Sequence, residues 1–183
     1  MKQHVRIIGG LFRGKKLGFP DIEGLRPTPD RVRETLFNWL MFEIRGMRCL
    51  DAFAGSGALG FEALSRGAAQ VVLVEASALA CKALRQNADS LKSPGVQVVS
   101  GDAVAYLEKI STPFDLIFLD PPFASDTMAL CLEAIEAGQA LKPGGLLYTE
   151  SPLPLELEAA KWSQRKSKKA GQVCYALYEK LLP

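Results

Sequence analysis

The sequence predicts an α/β fold with a doubly wound, mostly parallel β-sheet, and two observations carry this prediction. From Cys49 onward, short apolar runs alternate with stretches whose apolar residues recur at helical spacing. The chain has 183 residues, of which 48% are hydrophobic and 23% charged, as in ordinary globular proteins. This length suffices for one domain with a well-buried core and a small extension.

Five predicted strands alternate with four predicted helices in the main part of the chain. The strands lie at 49–53, 70–75, 96–100, 114–120 and 144–150. The helices lie near 58–66, 78–91, 103–110 and 127–140. Parallel strands need crossover connections, usually helices, so this alternation indicates a parallel sheet covered on both faces. The last segment, from Trp162 to Leu182, lacks a long apolar helix pattern and is expected to add an antiparallel hairpin at the sheet edge.

A smaller extension is predicted ahead of the sheet. Two short strands at 5–10 and 13–19 form a β-hairpin. A helix follows, with Thr28 as its expected N-cap and Pro29 at its first position, because both residue types are favoured there. The predicted division is an extension, residues 1–46, and a main domain, residues 47–183.

Charge is distributed unevenly along the chain, although the net charge is only +2. Basic residues outnumber acidic ones by 10 to 5 in residues 1–48 and by 6 to 1 in residues 161–183, whereas acidic residues lead by 14 to 6 in between. Basic ends suit a polyanion, because clustered lysines and arginines release counterions from phosphates. Two solvated, lysine-rich faces would explain the same counts, so charge alone leaves both interpretations open.

Several classes of function find no support in the sequence. Cys49, Cys81, Cys131 and Cys174 have no metal-type or redox-type spacing, and reduced core thiols are expected. The only histidine, His4, is expected on the surface, which disfavours a Ser-His-Asp or Cys-His site. No zinc-binding pattern is present, and a metal-free reaction is expected. Neither a signal peptide nor a membrane span is predicted, so the cytoplasm is the expected location.

A glycine-rich loop follows the first strand of the main sheet. Gly55, Gly57 and Gly60 have the spacing G-x-G-x-x-G between a strand and a helix. Such glycines let the chain turn tightly and bring its backbone close to a nucleotide-like ligand. Glu75 ends the second strand, where its carboxylate can accept hydrogen bonds from ribose hydroxyls. The alternatives are a tight turn without a ligand and, with one, either NAD or S-adenosylmethionine.

Acidic residues at successive strand ends distinguish these two ligands. If the Asp51 side chain faces the loop, it would repel a pyrophosphate by roughly 1 to 4 kcal/mol at a few ångströms. It would attract the sulfonium and ammonium groups of S-adenosylmethionine instead. Asp102, after the third strand, is expected to accept from the adenine amine, to cap the next helix, or to do both. The pattern favours a methyl donor.

The segment LDPPF, residues 119–123, ends the fourth predicted strand at the same sheet edge. Pro121 and Pro122 give the sheet no N–H donor and fix their own φ, so they hold Asp120 at the strand tip. The Asp120 carboxylate and the Pro121 carbonyl would accept from an exocyclic nucleobase amine and orient its lone pair toward a methyl group. Phe123 would stack on the base, which must be unpaired or flipped out. A simple turn after a buried strand is the alternative.

Together these motifs are recognisable. The segments CLDAFAGSGALGFEALSRGA, VEAS, SGDA and LDPPF resemble the class I S-adenosylmethionine-dependent amino-methyltransferases, whose fold is a Rossmann-like sheet. The N-terminal RIIGG, RGKKL and GLRPTPDRVRETLFNWL, with AGQVCYALYEK near the end, narrow the resemblance to the RsmD family of bacterial 16S rRNA guanine-N2 methyltransferases. The match runs along nearly the whole chain. LDPPF is shared with DNA and protein amine methylases, but its combination with the N-terminal segments is far more specific.

The resemblance implies a role for three groups of residues. The donor would be bound by Asp51, Phe53, Gly55, Gly57, Glu75, Ala76, Asp102 and Ala103. The guanine amine would be engaged by Asp120, Pro121, Pro122 and Phe123. Ribosomal RNA would be contacted by Arg6, Arg13, Lys15, Arg26 and Arg31. Relatives often carry a second acidic or amide residue where this chain has Ser77, so no second ribose contact is expected there.

The sequence therefore predicts transfer of a methyl group from S-adenosylmethionine to the N2 amine of a guanine in 16S rRNA, within the 30S subunit or an assembly intermediate. A monomer without membrane contact is expected. One alternative is a DNA adenine or cytosine amine methyltransferase, although 183 residues leave little room for a sequence-reading domain. Another is an RNA-binding assembly factor that binds the donor without catalysis, although RNA affinity alone does not require LDPPF.

Overall fold

The computed structural model describes residues 3–123 and 126–183, so the first two residues of the predicted extension lie outside the described part. The strands are β1 (Gln3–Arg6), β2 (Lys16–Phe19), β3 (Arg48–Asp51), β4 (Gln70–Glu75), β5 (Val96–Ser100), β6 (Phe114–Leu119), β7 (Leu141–Ser151), β8 (Trp162–Ala170) and β9 (Val173–Lys180). The helices are α1 (Asp30–Trp39), α2 (Ala58–Ser65), α3 (Ala78–Leu91), α4 (Ala103–Glu108) and α5 (Thr127–Ala137).

The main sheet has seven strands in the order β5-β4-β3-β6-β7-β9-β8. The first five of these are parallel to one another, and β9 and β8 add antiparallel at the edge. The predicted doubly wound, mostly parallel sheet and its C-terminal hairpin are therefore confirmed. The ranges of β4, α3 and β5 coincide with the prediction. Helix α5 ends earlier than predicted, at Ala137, since Gly138 follows in an extended conformation and glycine is a poor helix former.

Helices cover both faces of this sheet. On one face, side chains of β1, β2, α1, α2 and α3 share a single buried cluster, to which Phe37 and Phe61 contribute. On the other face, Leu107 of α4 and Ile135 of α5 pack in a second cluster. Phe118 of β6 reaches the first cluster, with its ring centroid 6.1 Å from that of Phe37. The hairpin and α1 are thus anchored by the same apolar packing that holds α2 and α3.

A buried glutamate ties the loop between β1 and β2 to α2. Glu62 has no exposed surface and accepts hydrogen bonds from the N–H groups of Ile8, at 2.9 Å, and Gly9, at 3.0 Å. Two cations balance its charge, Arg66 at 3.0 Å and the buried Arg33 at 3.6 Å. Because the hydrogen-bonding capacity of this carboxylate is used and its charge is paired, its burial is compensated.

The extension differs from its prediction in detail. Strand β1 lies earlier than the predicted 5–10, β2 is shorter than the predicted 13–19, and Pro29 is the N-cap of α1 rather than its first residue. Thr28 does not cap α1, whose N-cap is Pro29 without a side-chain hydrogen bond. The Thr28 hydroxyl instead donates to Oε2 of Glu150 at 3.2 Å, across 122 positions of the sequence. The start of α1 is therefore joined to the carboxyl end of β7.

The structure also places the four cysteines and the single histidine. Cys49, Cys81 and Cys131 are buried and Cys174 is half-buried, and all four are free thiols. His4 is exposed, as predicted. Within residues 3–123 and 126–183, no helix is long and apolar enough to cross a membrane, and no group of His, Cys, Asp and Glu side chains is arranged to hold a metal ion.

Candidate active site at the carboxyl edge of the sheet

Four acidic residues meet where the parallel strands end. Asp51 ends β3, Glu75 ends β4, Asp120 follows the last residue of β6, and Glu150 is the penultimate residue of β7. These strands are neighbours in the sheet and run the same way, so their carboxyl ends form one edge. Ligands of open α/β sheets bind outside this edge.

The glycine-rich loop between β3 and α2 has the backbone that its sequence predicts. Gly55 and Gly57 have φ values of 54° and 83°, in the left-handed region that favours glycine. Gly57 is the residue before the first turn of α2. At Gly60, an added Cβ would lie 2.2 Å from Cδ2 of Leu73, so only glycine lets α2 pack this closely on β4. The loop thus has free space beside Gly55 and is tightly packed against β4 at Gly60.

Asp51 lies beneath this loop rather than at its surface. Its side chain is only 2% exposed and accepts hydrogen bonds from the N–H groups of Gly60, at 3.1 Å, and Phe53. Burial raises the pKa of the carboxyl group to about 7, and repulsion from Glu150 and Glu75 adds to the shift. Asp51 therefore holds the loop and contributes a carboxyl group that can titrate near neutral pH.

Glu75 and Asp102 bind backbone groups at the same edge. The two carboxylate oxygens of Glu75 accept from the N–H groups of Gly55, at 3.1 Å, and Ser77, at 2.7 Å. Asp102 caps α4 by accepting from the Ala105 N–H at 2.9 Å, so the capping alternative of the sequence analysis is confirmed. Both side chains retain contact with solvent, which leaves lone pairs accessible. Among the other predicted donor-binding residues, Phe53 is half-buried, Ala76 exposed and Ala103 buried.

The tip that follows β6 borders a small apolar slot. Pro121 is buried, whereas Phe123 keeps 50% of its surface exposed. Beside them lies a cavity of about 210 Å³. Its lining is Pro121, Pro122, Phe123, Met128, Glu150, Ser151, Pro152, Leu153, Pro154 and Leu155. This mostly apolar lining, in which Glu150 is the acidic residue, suits one flat ring system.

Glu150 is the functional candidate that the sequence analysis missed. Its side chain is 5% exposed and accepts from the Tyr148 hydroxyl at 2.9 Å and from the Thr28 hydroxyl at 3.2 Å. It also shares a hydrogen bond with the Asp120 carboxyl group. Burial, followed by Glu150 and then Asp51, raises the pKa of Asp120 well above its usual range. The available signal was positional, because Glu150 continues the series of acidic residues at strand ends.

The predicted RNA-contacting residues fall into two separate places. The loop between β1 and β2 lies at the end of α2, where the Leu11 N–H donates to the Ser65 carbonyl at 2.8 Å. Helix α2 starts at the glycine-rich loop and has eight residues, so its far end is ~12 Å from that loop. Arg13 and Lys15 are exposed on this distant loop, and Arg6 is exposed on β1.

The second basic group lies close to the site. Arg26 is exposed. Its neighbour Leu25 packs near the glycine-rich loop, with Cγ 3.8 Å from an ideal Cβ on Gly55. Two residues after Arg26, the Thr28 hydroxyl bonds to Glu150. Arg31, in the first turn of α1, is also exposed. The structure therefore brings Arg26 and Arg31 to the acidic edge and keeps Arg13 and Lys15 away from it.

A larger cavity, of about 350 Å³, lies along α4 on the other face of the sheet. It runs from Asp102 past Tyr106 to Arg48 and Phe114, where the Arg48 guanidinium carbon lies 3.9 Å from the Phe114 ring centroid. Only its Asp102 end reaches the acidic edge. We therefore assign the chemistry to the smaller slot beside Asp120.

Comparison with known proteins identifies the family. Residues 5–179 match the family model described as "Conserved hypothetical protein 95". The ribosomal RNA small subunit methyltransferase D of Escherichia coli K12 is 46% identical over 178 residues, which cover 96% of this chain and 90% of that protein. The chain belongs to the RsmD family. Its relative in Haemophilus influenzae, of the same name, is 44% identical and is covered to 95%.

Solved structures of other proteins agree with the architecture described above. The E. coli protein yhhF superposes with a TM-score of 0.91 at 45% identity, and the alignment covers 98% of this chain and 99% of that one. The 16S rRNA N2 methyltransferase RsmC of T. thermophilus, at 23% identity, shares the fold with a TM-score of 0.74, although the match covers only 50% of RsmC. This chain is thus an α/β methyltransferase of the RsmD family.

Proposed function

We propose that this methyltransferase transfers a methyl group from S-adenosylmethionine to the exocyclic N2 amine of a guanine in 16S rRNA. The observation that carries the proposal is the Asp120 tip, which combines a carboxyl group, a rigid Pro-Pro turn and an adjacent apolar slot. The names of the relatives at 46% and 44% identity support the class of substrate.

The donor would lie over the glycine-rich loop. The positive φ of Gly55 and Gly57 opens the backbone toward a ligand, and Glu75 would accept from the ribose hydroxyls. Asp102 would accept from the adenine amine with the oxygen that does not cap α4. Phe53, Ala76 and Ala103 would border the adenosine. This cluster of acidic groups favours a cationic donor, because the sulfonium and ammonium groups would be attracted to it.

The guanine would enter the slot with its amine toward Asp120. Oxygens of Asp120 and Pro121 would accept its two N–H bonds and turn the nitrogen lone pair toward the methyl carbon. Pro122 stiffens the turn, and the half-exposed Phe123 can stack on the base. As the carbon–nitrogen bond forms, the carbon–sulfur bond breaks and sulfur keeps its electron pair. The nitrogen then releases one proton to water, so the step needs no metal.

The RNA would approach over the extension, residues 1–46, while residues 47–183 bind the donor. Arg6, Arg13, Lys15, Arg26 and Arg31 would contact phosphates, which position an RNA without reading its sequence. Extrusion of one base from structured RNA fits a slot this small. We propose that a monomer acts in the cytoplasm on the 30S subunit or on an assembly intermediate, without contact to a membrane.

The decisive experiment measures methyl transfer from labelled S-adenosylmethionine to 30S particles that lack the modification, naked 16S rRNA and duplex DNA. Wild type should label 16S rRNA as N2-methylguanosine. Asp120→Ala should lose at least about a hundredfold in kcat, because one preorganised hydrogen-bonding group is typically worth that much. Folding and donor binding of the variant serve as controls.

Each other outcome has a definite meaning. Full transfer by a folded Asp120→Ala variant would contradict the assigned role of the tip. Label in DNA would favour a DNA amine methyltransferase, while donor binding without transfer to any of the three would favour an assembly factor.

A further inference from the structure

We infer that Glu150 is a positioning residue that holds Asp120 as a neutral carboxylic acid, with its O–H toward Glu150 and its C=O toward the substrate amine. The inference rests on the proposed function for the identity of the amine. Its structural part, the protonated Asp120, concerns the protein alone.

The hydrogen bonds around Glu150 assign the proton. The Tyr148 and Thr28 hydroxyls each donate to a different oxygen of Glu150, at 2.9 and 3.2 Å. Both oxygens of Glu150 therefore already serve as acceptors. Two carboxyl groups can share a hydrogen bond only if one of them carries a proton, and because both Glu150 oxygens accept from hydroxyls, we place that proton on Asp120.

The charges that face Asp120 favour the same assignment. The neighbouring titratable groups are Asp51 on β3 and Glu150 and Tyr148 on β7. Tyr175 on β9 is paired with Glu150 in the sheet. Within residues 3–123 and 126–183, no lysine or arginine forms an ion pair with Asp120 or Glu150. Two ionised carboxylates in this place would repel each other without compensation. Burial and Glu150 also raise the pKa of Tyr148, so its phenol stays protonated as a donor.

Sheet register keeps the pair in place. Phe118 of β6 stands opposite Tyr148 of β7, so Asp120 and Glu150, each two positions further, project from the same face of neighbouring strands. The ring of Tyr148 is fully buried. Because the partner is held by packing, the Asp120 carboxyl group has one preferred orientation.

This orientation matters for the proposed methyl transfer. A carboxylic acid that turns its O–H toward Glu150 presents only an acceptor to the amine. The opposite orientation would donate a proton to the nitrogen lone pair, which must stay free to attack the methyl carbon. Glu150 would therefore act on the amine through Asp120.

Asparagine tests the inference, because it has the shape of a protonated aspartate. In Asp120→Asn the amide N–H can donate to Glu150 and the amide C=O can face the substrate. We expect this variant to retain about a tenth or more of the wild-type kcat, whereas Asp120→Ala loses about a hundredfold or more. If Asn is as inactive as Ala while both variants fold and bind the donor, an ionised carboxylate is required and the inference is wrong.

Infrared absorption of the carboxyl groups gives a second test that needs no RNA. Wild type at neutral pH should show a protonated carboxyl band that Asp120→Asn lacks. Glu150→Gln removes the neighbouring charge and offers an N–H donor, so this band should titrate at lower pH. The exposed Glu156→Gln is the matched control and should leave the band unchanged.

The two tests separate failure of the inference from failure of the proposed function. Absence of the Asp120 band in wild type, or a band that Glu150→Gln does not move, would overturn the inference whatever the substrate is. Absence of methyl transfer to rRNA by wild type would overturn the proposed function and leave the infrared result standing.

Discussion

Two buried glutamates of this chain have opposite surroundings. Glu62 lies at the side of α2 with two arginines and two backbone N–H groups around it. Glu150 lies at the end of β7 with two hydroxyl donors and a second carboxyl group, Asp120. They are 0% and 5% exposed, so burial does not distinguish them.

The difference concerns whether the free-energy cost of burying a carboxyl group is compensated by nearby cations and hydrogen bonds. A buried carboxylate with paired charge and satisfied oxygens joins segments that are distant in sequence, as Glu62 joins the loop near Ile8 to α2. Carboxyl groups that are buried together without a cation shift each other's titration, and such clusters are concentrated at functional sites. We therefore interpret the surroundings of Glu150 as functional and those of Glu62 as structural.

The largest expected effect is on the free energy of unfolding, which should fall in the Glu62 variant but not in the Glu150 variant. Glu62→Gln should lower the free energy of unfolding by about 3 to 5 kcal/mol, because it removes the fully buried negative charge that pairs with both Arg33 and Arg66. Glu150→Gln should be neutral or stabilising at pH 8, since it removes the negative charge that disfavours ionisation of Asp120. Urea denaturation of both variants measures this. Equal losses would show that the two sites do not differ in compensation.

The next effect sharpens the comparison by titrating the acidic edge. The pKa of Asp51 is raised to about 7 in the folded protein from 3.8, so folding favours its protonated form. Its contribution to stability is full below the unfolded pKa and is lost as pH rises toward the folded value. Stability should thus fall by up to ~1.4 kcal/mol per pH unit between about pH 4 and 7. Asp51→Asn should flatten this part of the curve in pH-dependent denaturation, and an unchanged slope would contradict the assignment.

The smallest effect concerns RNA affinity at the two places. Arg26 lies at the Glu150 edge, whereas Arg13 and Lys15 lie on the loop that Glu62 holds. Arg26→Ala should weaken binding to 30S particles and lower the salt dependence by about one unit of slope. Arg13→Ala and Lys15→Ala should each weaken binding less, because the loop is farther from the bound base.

A matched control for this measurement is Lys109→Ala, at the end of α4, which should leave the slope unchanged. If Arg13 and Lys15 contribute as much as Arg26, the RNA covers both ends of α2. If none of the three matters at any salt concentration, the basic extension is a solvated surface.

Much of this protein follows from local sequence. Apolar periodicity determined the strands and helices of the main domain, since residues on one face of an element must be buried together. The glycines after β3 required a tight, open loop, and the prolines of LDPPF ended β6 directly before Asp120. These are local constraints of backbone and pattern, and short segments carry them in full.

Only the tertiary structure decided how the chemistry is assembled. The local sequence predicts that Thr28 caps a helix. It bonds to Glu150 instead, because α1 docks against the carboxyl end of β7. Arg13 and Arg26 look alike in a charge count, yet packing on α2 separates them. Glu150 gained its partners from β6 and from the start of α1, which are remote in the chain. Such pairings depend on long-range packing, and no local pattern specifies them.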